Sequence, residues 1–142
     1  MSQDQFWKYF SENMNELGLL APQELFGTST ATYATLKAIM TYLDKMGPKT
    51  MVSELAGAGT GLEKLATVGA VGASLYVGAI IGSLAVATGR SLSGGSTIAD
   101  AIIAAQDADV YRSWMRPMFT RWQGLFDRQI PARSHIKYVA QI

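Results

Sequence analysis

The chain has 142 residues, 49% of them apolar, a mean hydropathy of +0.13 and a net charge of +1. That length suits one domain, and that apolar share is enough for an ordinary core. With no cysteine, disulfide frameworks, thiol catalysis and cysteine-held metal clusters are excluded. The charge is unevenly spread. Residues 1–64 hold five Lys and seven acids, residues 65–89 hold no charge, and residues 90–142 hold seven Lys and Arg against four Asp.

Ser2 with Gln5 reads as a capping box for a first helix reaching about Leu17. Phe6, Phe10, Met14 and Leu17 share one face of it, and Gly18 and Pro22 end it or redirect the chain. Met1 to Phe6 has no basic n-region and no early apolar run, so a cleaved export signal is not expected. A second helix is predicted from Thr28–Thr30 to about Met46, with Tyr33, Leu36, Ile39, Met40 and Leu43 as its stripe and Gly47-Pro48 as its stop. A short run, Met51 to Ala56, precedes Gly57-Ala58-Gly59-Thr60-Gly61. No strand leads into these glycines and no third Gly of a dinucleotide fingerprint follows at Leu62, so they read as a hinge.

Leu65 to Gly89 is the unusual segment. Thirteen of its 25 positions are Gly, Ala or Ser, and ten are large. As one helix it would measure about 37 Å, against roughly 30 Å of bilayer hydrocarbon. Five glycines weaken a water-exposed helix by about 1 kcal/mol each relative to Ala, so close packing must compensate. Ala66, Ala70, Ser74, Gly78 and Gly82 recur every four residues and form a shallow face that lets another backbone approach. Gly69, Gly72, Ala73, Ser83 and Ala87 fall near the opposite face. Two small faces suit a ring of identical helices. They equally suit the buried centre of a helical domain.

Arg90 to Ser96 reads as a turn, and Thr97 with Asp100 as a second capping-box start. The next helix is predicted from Ile98 towards Met115, with Pro117 as a kink or break. If residues 98–105 entered a membrane, Asp100 would have to face a water-filled lumen or a partner, where a ring of carboxylates would favour cations. In water the same residue is a helix cap. Met118 to Ile130 reads as a last amphipathic segment ended by Pro131. Tyr111, Trp114, Met115, Met118, Trp122, Leu125 and Phe126 form a broad apolar stripe, with Arg112, Arg116, Arg121 and Arg128 beside them. Trp114, Arg116 and Trp122 are candidate anchors at a bilayer interface; a face packed on the N-terminal helices is the other reading. Basic and aromatic residues also interleave in nucleic-acid binders, but a +1 chain with an uncharged centre is a weak candidate, so no nucleic acid is expected.

No catalytic set is visible. His135 is the only histidine, Glu12, Glu16, Glu54 and Glu63 read as solvated helix faces, and no metal or cofactor site is expected, so the chain reads as a non-enzyme. The fold class is all-α: a compact helical bundle around a Gly/Ala-rich apolar hairpin. Its parts are residues 1–56 (amphipathic helices), 57–110 (the hairpin) and 111–142 (basic-aromatic helices), making one folding unit.

With Gly78-xxx-Gly82 and the small residues Ala66, Ala70 and Ser74, the chain resembles the small glycine-zipper pore-forming effectors of the bacterial type VI secretion system. The resemblance covers about residues 57–105, and its zipper is Ala and Ser, not Gly, at the N-terminal end. It implies a toxin made in the bacterial cytoplasm and carried by an Hcp-type tube protein into a competitor. There it would self-oligomerise in the inner membrane and dissipate ion gradients, while an immunity protein shields the producer. Two other classes fit the same residues: a soluble all-α adaptor whose Gly/Ala helix is a core element, and a holin-like channel acting in its own cell.

Overall fold

In a computed structural model, residues 3–58, 61–69, 71–91 and 97–127 are described. Helices dominate them. The order is α1 (Gln3–Glu16), α2 (Pro22–Phe26), α3 (Thr30–Met46), α4 (Val52–Ala56), a 3₁₀ turn (Glu63–Val68), α5 (Ala73–Ser91), α6 (Ile98–Asp107), α7 (Met115–Arg121) and a second 3₁₀ turn (Gln123–Leu125). Among the described residues there is no strand, only one isolated antiparallel bridge between Met51 and Gly72.

The all-α bundle is built around α5. Every residue from Leu75 to Ala87 is buried. A helix that is apolar all round has no solvent face to offer and must be enclosed. The enclosing helices are amphipathic. α1 supplies Phe10, Met14 and Leu17, all fully buried, and makes the most extensive packing with α5. α3 adds Leu36, Ile39 and Met40; α6 adds Ala101, Ile102 and Ala105; α7 adds Met115 and Phe119. At the entry to α5, the buried Tyr76 donates its hydroxyl proton to the Leu20 carbonyl at 2.7 Å, tying the α1–α2 link to the core. Burial, and secondarily Glu24 nearby, pushes the Tyr76 phenol well above its ordinary range. Tyr76→Phe is expected to lower stability by about 1 kcal/mol, since the Leu20 carbonyl loses its donor; urea unfolding of the two proteins measures it.

The 25-residue apolar block is not one helix. Leu65 to Val68 belong to a 3₁₀ turn, Gly69 has φ +97°, and α5 begins only at Ala73. Gly69 takes the left-handed region that a right-handed helix cannot pass through. The chain then pairs with the segment before α4: Val52 N–H donates to the Val71 carbonyl at 2.9 Å and Ala73 N–H to the Thr50 carbonyl at 2.8 Å. Backbone groups that a longer helix would have satisfied internally are satisfied here by a bridge.

Other boundaries also move. Pro22 opens a helix: it is the first residue of α2, where its missing N–H is not needed, and Gly27 at φ +93° closes it. The Thr97–Asp100 capping box is present as read, with Asp100 N–H donating to Thr97 Oγ1 and Thr97 N–H to Asp100 Oδ2. That helix stops at Asp107, well short of Met115. Asp109 takes φ +59°, and Val110 N–H closes back on the Ala105 carbonyl at 2.9 Å. Asp tolerates this conformation better than most residues and stands where a glycine usually would. Pro117 neither kinks nor breaks α7, because it sits in the first turn, where the helix requires no donor. Ser2, His135 and Pro131 lie outside the described residues.

Candidate functional site

The small-residue positions are not one surface. Ala66 is exposed in the 3₁₀ turn, Ala70 lies outside the described residues, Ser74 is half-buried in the first turn of α5, and Gly78 and Gly82 are buried in its middle. Only Ser74, Gly78 and Gly82 therefore share an α-helical face. Gly78 and Gly82 already have a neighbour, the C-terminal segment. A Cβ added at Gly82 would stand 2.5 Å from the Leu125 carbonyl oxygen and 2.9 Å from its carbon. One added at Gly78 would stand 2.5 Å from Met118 Cε and 3.0 Å from Leu125 Cδ1. Gly82 admits a backbone at close range, whereas Gly78 admits side-chain ends. The admitted backbone belongs to a 3₁₀ turn of the same chain.

A polar knot fixes that turn. Asn13 on α1 is fully buried, and its amide donates to Ser83 Oγ at 2.9 Å and to the Leu125 carbonyl at 3.0 Å. One side chain thus joins α1, α5 and the turn inside the core. Ser83, next to Gly82 in the chain, shares this amide with the Leu125 carbonyl, so the knot sits at the flank of the Gly78–Gly82 groove. The sequence reading used neither Asn13 nor Leu125 in this role. An asparagine on the apolar side of α1, next to Met14, was the available signal, since a buried amide must find partners.

Asp100 is the third residue of α6 in this structure, where its carboxylate accepts from the N–H of the Thr97 N-cap. Trp114 and Trp122 are half-buried at the two ends of α7, and Arg116 is exposed between them. Arg121 lies over the Trp122 ring at 4.8 Å. Arg112 is engaged elsewhere, with a two-pronged pair to Asp44 at the end of α3 (2.8 and 3.0 Å). That hydrogen bonding holds the Asp44 carboxyl below its ordinary range and raises Arg112. The stabilisation is present above the ordinary carboxylate range and is lost as pH falls through the lowered value. Both side chains are substantially exposed, so water screens the pair and its contribution is small. Arg121 and Trp122 thus form a basic-aromatic pair where α7 ends and the turn that covers α5 begins.

A second aromatic group, unread in the sequence, lies at the other end of the chain. Trp7 meets Phe6, Phe10 and Tyr33 edge to face, with centroids 5.0, 5.3 and 6.2 Å apart. Such pairs stabilise beyond their buried area, and this one fastens α1 to α3. Burial, then the charge of Asp107, raises the Tyr33 phenol. Among the described residues no cluster of His, Asp and Glu is arranged to hold a metal ion. None of their helices is long and apolar enough to cross a membrane. No known protein family, curated protein or solved structure matches this chain.

Proposed function

We propose that this bundle is the stored form of a pore-forming toxin, and that α5 is its inserting element. The observation that carries the reading is the enclosure of α5. Its residues 75–87 bear no charge and are hidden on every side, while the helices around them are amphipathic and can lie at a water–lipid boundary. At 19 residues α5 is about 28 Å long, just under the hydrocarbon thickness. A comfortable span needs more length on the N-terminal side. Straightening the chain at Gly69–Gly72 and breaking the Met51–Gly72 bridge would add residues 65–72, so that the whole uncharged run 65–89 lies in one helix. α6 would follow as the second arm, with Asp100 turned to the lumen, where it favours cations. Trp114, Arg116 and Trp122 would anchor the C-terminal segment among anionic headgroups.

By the same resemblance, delivery belongs to a type VI secretion tube protein, the target is a competitor's inner membrane, and an immunity protein protects the producer. Dye and potassium release from vesicles of phosphatidylethanolamine and phosphatidylglycerol tests the central claim. The purified chain is expected to release both. Sealed vesicles under every delivery condition, with the protein still folded, would end the reading.

One observation favours a second reading. Leu125 seated on Gly82 gives the glycines an intramolecular purpose, as in an adaptor whose Gly/Ala helix is only a core element. That protein would leave vesicles intact and remain folded beside them.

A further inference from the structure

Charge on the N-terminal half is sorted by element. From Leu25 to Ser53 the chain holds Lys37, Lys45 and Lys49 and a single acid, Asp44. The three lysines are exposed, while Asp44 is already matched by the two-pronged Arg112. The outer face of α3 is therefore positive along its C-terminal half, although residues 1–64 as a whole carry more acids than lysines. Apolar surface adjoins these charges. Met46 is 45% exposed at the end of the helix, and the half-buried Tyr42 ring has Lys45 Nζ 5.9 Å from its centroid. We infer that this face, with Lys37, Tyr42, Lys45 and Met46 on the helix and Lys49 just beyond it, is a docking surface for an anionic phospholipid bilayer. It stands apart from the pore reading, since docking requires no helix to leave the bundle.

Lys37, Thr41 and Lys45 follow one another at steps of four and so lie along one line, with the two lysines about 12 Å apart along the axis. Tyr42 and Met46, again four apart, form the neighbouring line. Lys49 follows in a fixed turn: Gly47 at φ +97° ends the helix, and Thr50 donates to the Gly47 carbonyl through its N–H at 3.2 Å and its Oγ1 at 2.8 Å. Towards the N-terminus the face is bounded by Tyr33, which meets Trp7 and feels the charge of Asp107. Attraction to the negative end of the helix accounts for Lys45 in the last turn. It accounts neither for Lys37, two turns earlier, nor for a thioether left in water. A bilayer surface matches both, because phosphates take the ammonium groups while Met46 and the Tyr42 ring reach past the headgroups. A nucleic-acid strand would use the lysines and give Met46 no partner. The buried side of α3 packs on α5, so a bundle docked in this way holds its apolar helix directly behind the docking helix.

Cosedimentation of the full chain with vesicles tests the surface, using phosphatidylcholine alone and phosphatidylcholine mixed with phosphatidylglycerol. The wild type is expected to bind only the anionic vesicles and to leave them at about 1 M salt, where exposed charges are screened. Lys37→Gln and Lys45→Gln keep good helix formers at exposed positions, and circular dichroism checks that the fold is intact. Each is expected to weaken binding by about fivefold, and the pair by roughly twenty-fivefold. Lys8→Gln, which removes the same charge from α1, is expected to bind as the wild type does. Failure of the wild type to bind anionic vesicles overturns the proposal. So does a loss in Lys8→Gln equal to that in Lys37→Gln, because net charge alone would then carry the binding. If Arg116→Gln with Arg121→Gln abolishes binding and the lysine pair does not, docking belongs to α7 and the proposal falls. Tighter binding to single-stranded RNA than to the vesicles at equal salt would give the face to a nucleic acid and overturn it as well. The pore reading fails separately: binding without dye release keeps the docking face and ends the pore, whereas dye release with binding unaltered in the lysine pair keeps the pore and ends the docking face.

Discussion

Gly82→Leu is expected to cost the bundle about 3 kcal/mol or more and Gly78→Leu clearly less, although both add the same side chain to the same helix. The difference lies in what each meets. At Gly82 the first obstacle is backbone, the Leu125 carbonyl at 2.5 Å, held in turn by Asn13. It can move only if the turn is expelled and a buried hydrogen bond breaks. At Gly78 the nearest atoms are the ends of Met118 and Leu125, which can adopt other rotamers. The gain in helix propensity, about 1 kcal/mol, is the same at both and offsets neither fully. Thermal unfolding followed by circular dichroism measures the order. If Gly78→Leu proved the more damaging, the Leu125 backbone would not be the close neighbour of α5. The double substitution is a poor probe of function, because lost packing alone would explain lost activity. Only single Ala substitutions keep the fold while addressing one face.

Periodicity made the bundle legible wherever an apolar stripe met a strong stop. The faces of α1 and α3 lie where Phe10, Met14, Leu36 and Ile39 place them, although Tyr33, read into the α3 stripe, is exposed, and Gly47-Pro48 ends α3. The Thr97–Asp100 cap was legible because a capping box is a local chemical event, complete within four residues. The misread boundaries share a cause: backbone conformation that the residue type permits but does not announce. Gly69 is compatible with helix and with the left-handed turn it adopts, and only the pairing of residues 50–52 with 71–73 decides between them. Asp109 stops α6 without a glycine. Pro22 begins a helix and Pro117 sits inside one, since a proline reads as a break until its place in the turn is known. For the candidate site, the GxxxG was visible and its occupant was not. Asn13, Ser83 and Leu125 are separated by 70 and 112 residues, and no local pattern connects them.

Phe10→Ala is expected to lower stability by about 3–5 kcal/mol and, under the pore reading, to make the protein a faster toxin. Phe10 is fully buried where α1 covers α5, in the most extensive helix pair of the bundle, and its ring also packs edge-on against Trp7. Removing it leaves a cavity in the core. For α5 to reach lipid, α1 must part from it, and that separation becomes easier by most of the lost stability. With about 1.4 kcal/mol per tenfold, leakage should rise on the order of a hundredfold until bilayer insertion itself limits the rate. Urea titration gives the first quantity and dye release the second. In an adaptor only the first would change. A wild type that leaks while Phe10→Ala leaks no faster would mean that α1 stays with α5 in the membrane, and the inserting unit would then be the pair.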